Sequence, residues 1–130
     1  MLAFVLITCT ALAQAPADET FEYSTGDTVY TMKKYVFCLY LNGNNRDQQK
    51  DEVAAIQRKH LAHLSSLQAT HGLMISGPLD GEGEKRGILI FDLKDIRDAE
   101  SAMASDPAVV AGRLTYECHY WWAAQGSRLN

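Results

Sequence analysis

The sequence predicts an α+β domain: two helices on one face of a four-stranded antiparallel sheet. Three observations carry this expectation. Residues 35–41, YVFCLYL, are aromatic and aliphatic throughout and apolar on both alternating faces, as a buried strand requires. Val53, Ile56, His60, Leu64 and Leu67 step by three or four, so they share one face of an amphipathic helix. Turn signals then divide the chain into strand, helix, strand, strand, helix, strand, the split βαβ order βαββαβ.

Taken in order, residues 2–13, LAFVLITCTALA, carry no charge and are too short to span a bilayer, which takes about 20 residues. They suit the apolar region of a signal peptide covering 1–13, with cleavage after Ala13. Cys9 makes a poor lipoprotein cysteine, because Thr8 before it is larger than the usual Gly, Ala or Ser. Residues 14–33 are polar and mixed, and read as a linker or loosely docked arm with a turn at Thr25-Gly26-Asp27. The strand at 35–41 stops at Asn42-Gly43, and Asn44, Asn45 or Asp47 is placed to cap a helix over 47–71. Gly72 ends that helix. A short strand at 73–76 runs into the Gly77-Pro78 turn, residues 80–85 form a flexible turn, and RGILIFDL at 86–93 is the next strand. Asp95 caps a helix over 96–104. Ser105-Asp106-Pro107 starts a short helical turn, with Asp at the cap and Pro at the first position. Residues 114–122 close the domain as a strand, and 123–130 form a tail. This is a ferredoxin-like arrangement. It leaves one sheet face bare although the first strand is apolar there and the last aromatic, so a homodimer with sheets packed face to face is expected. Tyr116, Tyr120, Trp121 and Trp122 are the residues read as filling that interface.

The 130 residues make one domain, 47% apolar and 22% charged, with net charge −4. No basic run is present, which argues against nucleic acid as a partner, and no membrane span is expected. After cleavage two cysteines remain, Cys38 and Cys118. In the ferredoxin-like order the first and last strands are antiparallel neighbours, so the two can form a cross-strand disulfide; the alternative is two buried free thiols.

The residues RKHLAHL at 58–64, Gly72, the Ser76-Gly77-Pro78 turn, Arg86-Gly87 opening a strand, Ala99, SDPAVVAG at 105–112 and Trp121 stand in an order that resembles the YCII-related (YciI-like) family of the dimeric α/β-barrel group. The resemblance covers residues 35–122. The leader followed by Met32-Lys33-Lys34-Tyr35 is similar to exported members, which implies a periplasmic or extracellular protein. The family implies a ferredoxin-like protomer, a dimer and a His–Asp site, carried over onto His60 and Asp106. It brings no general activity with it.

His60 also stands out from the residues alone, as the one polar member of an apolar stripe. Either a backbone carbonyl satisfies it in the core, or it works as acid or base with a carboxylate fixing one ring nitrogen. Two readings of function follow: a small enzyme using His60 and Asp106 on a small organic substrate, or a non-catalytic ligand-binding or structural dimer. They differ in whether His60 lines an open cavity or has both nitrogens bonded. Arg86, beside the Gly77-Pro78 turn, is the candidate for binding an anion at the rim. His60, His63, His71 and His119 lack the companions of a zinc site, so no metal is expected. Gly81 and Gly83 open no helix, so no phosphate loop and no cofactor are expected.

Overall fold

The computed structural model describes residues 18–130; the expected leader at 1–13, Cys9 and the first residues of the arm lie outside that range. The elements are β1 (Thr20–Thr25), β2 (Thr28–Asn42), α1 (Lys50–Thr70), β3 (Leu73–Pro78), β4 (Lys85–Phe91), α2 (Ile96–Ala104), α3 (Pro107–Val110) and β5 (Leu114–Ala124). The sheet is antiparallel with β2 at its centre, flanked by β5 on one side and by β4, then β3, on the other. From β2 onward this is the ferredoxin-like order. The sheet has five strands where four were expected. Residues 20–33, read as a linker or arm, instead form a hairpin in which β1 pairs with the extended first half of β2. Its side chains are mostly exposed and show no apolar alternation, but backbone pairing needs none.

The helices cover one face. Val36, Cys38 and Tyr40 of β2 alternate toward them and join Leu89, Phe91, Leu67, Ala99 and Met103 in the core. The expected caps Asn44, Asn45 and Asp47 do not cap α1. Its N-cap is Gln49, with no side-chain hydrogen bond. The loop's polar groups go instead to the turn before β5: Gly43 N–H donates to the Arg113 carbonyl (3.0 Å) and Asn45 N–H to that of Gly112 (2.9 Å). The two turns touch so closely that a Cβ on Gly43 would lie 2.1 Å from the Gly112 oxygen. At the other end of α1, Gly72 takes the left-handed φ of +63° that stops the helix. Asp95 caps α2 as expected, accepting from Arg97 N–H.

The opposite face carries Tyr35 and Phe37, with Trp121 tilted against both at 6.2 and 6.4 Å between ring centroids. The rest of the expected aromatic interface is not there. Tyr116 packs against the core under the helices. The Tyr120 hydroxyl accepts from Ile96 N–H at the start of α2 (3.1 Å). Trp122 stands edge-on to Phe21 of the hairpin (4.8 Å). The period of 2 explains the correction, because 116, 120 and 122 share the parity of core-facing Cys118, and 121 does not.

Cys38 and Cys118 sit directly opposite each other on β2 and β5 and are joined by a disulfide. No described helix is long and apolar enough to cross a membrane.

Candidate functional site

Asp106 is fully buried. It serves as N-cap of α3, its Oδ1 accepting from Ala108 N–H (2.8 Å), which is the structural role that Asp before Pro suggests. Its other oxygen, Oδ2, is shared by His60 Nδ1 at 2.7 Å and the Tyr40 hydroxyl at 2.5 Å. Burial alone would push this carboxyl up, but the bonds from His60, Tyr40 and Ala108 outweigh it and hold the group below its ordinary 3.8. Asp106 is therefore a carboxylate, and all three partners donate to it. Burial, reinforced by that carboxylate, pushes the Tyr40 phenol far above its ordinary value, so its proton stays in place as a donor.

With Nδ1–H donating to Asp106, Nε2 of neutral His60 carries the lone pair. The described residues offer Nε2 no hydrogen-bond partner. The Tyr40 ring packs against the imidazole in a T-shaped arrangement, 5.3 Å between centroids. The His60 side chain is only 12% exposed and lines a cavity of about 410 Å³ between α1 and the end of the sheet.

That cavity gathers every ligand candidate the sequence suggested. Arg86 at the start of β4 and Gly77 and Pro78 at the end of β3 line it together with His60. Asp106 stands behind the imidazole and does not line it. Apolar walls come from Ile56, Leu61 and Leu64 of α1 and from Leu114.

The lining also includes Tyr40, Arg46 and Arg113, which were not foreseen. For Tyr40 a signal existed. It shares the core-facing parity of Cys38, and a buried tyrosine needs a partner for its hydroxyl. For Arg46 and Arg113, 67 residues apart and joined by a bond from Arg46 Nη1 to the Arg113 carbonyl (2.7 Å), nothing local gives the pairing away.

The other histidines take no part. His63 Nε2 bonds the Ala102 carbonyl (2.9 Å), His71 meets its neighbour Thr70, and His119 lies beside Glu117 on the surface. Among the described residues no group of three or more His, Cys, Asp or Glu is placed to hold a metal ion.

The sequence pattern of the YCII-related domain matches residues 34–119. The chain belongs to the YCII-related family. Among solved structures this YCII domain is similar to 5-chloro-2-hydroxyhydroquinone dehydrochlorinase from Burkholderia phenoliruptrix AC1100, in complex with 2,5-dihydroxybenzoquinone. Identity is 22% and the TM-score 0.50, over 66% of this chain and 92% of the dehydrochlorinase. At that identity the likeness speaks for a common fold. Among curated proteins none matches the chain.

Proposed function

We propose that this YCII-related protein is a small enzyme in which His60 moves a proton on a small organic substrate bound in the cavity between α1 and the sheet. One observation carries the reading: the His60 Nε2 is unpartnered at a cavity while its Nδ1 is held by a buried carboxylate. His63 differs: its Nε2 bonds a backbone carbonyl, that of Ala102, it has no carboxylate partner among the described residues, and it does not line the cavity. In the reaction, Nε2 takes a proton from a substrate O–H or C–H, leaving the electron pair on the substrate. Asp106 stabilises the imidazolium, and the proton returns to substrate or solvent to restore the neutral ring. Tyr40 and Ala108 hold the carboxylate in place. That a neighbour of similar fold is an enzyme acting on a small ring compound supports an enzyme over a structural dimer.

The test is turnover of a panel of small hydroxylated and halogenated aromatics, the dehydrochlorinase's own substrate among them. His60→Ala and Asp106→Asn should each cut the rate by about 10²–10⁴, the usual range for a positioned acid or base. Wild-type turnover in His60→Ala would refute the reading. Failure of the wild-type protein on the whole panel would favour the binding dimer.

We further propose a homodimer joined through the sheet face opposite the helices around Trp121, which is 42% exposed there beside half-buried Phe37. We also propose that it works outside the cytoplasm; the Cys38–Cys118 disulfide supports this, since such bonds persist in oxidising compartments.

A further inference from the structure

Three guanidinium groups surround the cavity beside His60, and the described residues that line it include no acid. This is an unusual local balance for a chain whose net charge is −4. Arg46 comes from the loop before α1, Arg86 from the start of β4 and Arg113 from the turn before β5. None of the three makes an ion pair with a described carboxylate.

They are positioned by neutral acceptors instead. Arg46 Nη1 donates to the Arg113 carbonyl (2.7 Å), and Arg113 Nη1 to the Gln48 side-chain oxygen (3.2 Å). Arg86 Nη1 donates to the carbonyls of Gly81 and Gly83, both at 3.3 Å. Each guanidinium has five N–H donors, so these bonds leave most of them uncommitted. Some loss of solvent, then the like charges of Arg113 and Arg86, hold the Arg46 guanidinium below its ordinary value. The cluster thus carries repulsion that an incoming anion would relieve.

The geometry points to a small organic anion as the substrate class. Its carboxylate or similarly charged oxygens lie among Arg46, Arg86 and Arg113, and its apolar body runs along Leu61 and Leu64 toward His60. The orientation toward His60 rests on the acid–base reading above; the charge preference does not. Planar forks that bind a carboxylate through two parallel bonds are what arginine supplies and lysine does not. The cavity, about 410 Å³ with apolar walls on α1, has room for a single ring beside that charge.

Benzoate and benzamide are the probes, alike in shape and different in charge. Titration of the full chain at fixed ionic strength, followed by calorimetry and by the amide and imidazole NMR signals, should show benzoate binding at about 1 mM. Shifts should fall at His60, Leu61 and Leu64. Benzamide should bind about tenfold more weakly, the value of roughly one charge-assisted bond. Arg46→Gln and Arg86→Gln should each weaken benzoate by about the same factor and leave benzamide where it was. Equal affinity for the two probes would overturn the proposal, and so would no benzoate binding at all. That comparison uses only the wild-type protein, so it stands even if an arginine variant fails to fold. His60→Ala separates the two proposals. If it keeps benzoate binding and loses turnover, both hold. If it keeps both, the anion site stands and the acid–base role falls.

Discussion

Replacing Asp106 with Asn changes little in shape and reverses the hydrogen-bond logic of the site. The carboxylate accepts from three donors: His60 Nδ1, the Tyr40 hydroxyl and Ala108 N–H. An amide keeps one accepting oxygen and gains an NH2. If its oxygen stays on Ala108 N–H, the NH2 faces His60 and Tyr40. The imidazole must then move its proton to Nε2 so that Nδ1 can accept, and the Tyr40 hydroxyl hydrogen loses its acceptor. If the amide flips, its NH2 meets Ala108 N–H and the cap is lost. The first arrangement costs less. Tyr40 is only 3% exposed, so its stranded hydroxyl costs about 1–3 kcal/mol. Exchanging a charge-assisted bond to His60 for a neutral one adds about 1 kcal/mol. We expect Asp106→Asn to lose about 2–4 kcal/mol in urea unfolding, with the ring 15N shifts of His60 reporting the proton on Nε2 in place of Nδ1. That tautomer presents an N–H to the cavity where the wild type presents a lone pair, and so disables the base without emptying the site. A variant within about 0.5 kcal/mol of wild type that keeps the Nδ1–H tautomer would refute the network as described.

Three further outcomes are expected. Asp106 is held below its ordinary 3.8 when folded, so its contribution is fully present above that value and is lost as pH falls below it; wild-type stability should therefore drop more steeply than that of Asp106→Asn below about pH 4, by denaturant titration at stepped pH. The disulfide spans 80 residues, and replacing Cys38 and Cys118 together by Ala should cost about 2–4.5 kcal/mol, with wild type falling to a similar level only after reduction. Trp121→Asp should convert a wild-type dimer to monomer in sedimentation at micromolar concentration, because an unpaired charge in a buried interface costs about 3–5 kcal/mol; a wild-type monomer would refute the interface.

How far the chain could be read beforehand depended on range. The second helix was expected over 96–104 and runs Ile96–Ala104, because its cap Asp95 and its inner side Ile96, Ala99 and Met103 are local features. The stripe through His60 was visible for the same reason. The hairpin was missed although its turn was recognised, since exposed strands held by backbone bonds leave no apolar alternation to detect. The caps expected for α1 were missed because Asn45 is drawn into contact with residues 111 and 112.

The sequence by itself determined the βαββαβ order, the two helices on one side of a sheet, and the odd histidine on an apolar stripe. Each follows from a period of 2 or 3.6, which neighbouring residues carry between them. Only the tertiary structure decided that Tyr40 shares Asp106 with His60, that Tyr116 packs against the core while Tyr120 reaches the start of α2, and that Arg46, Arg86 and Arg113 meet around one cavity. Those residues come from strands and turns far apart in the chain. Their approach is set by how the sheet pairs and how the turns at its end interlock at Gly43 and Gly112, and no local periodicity encodes that.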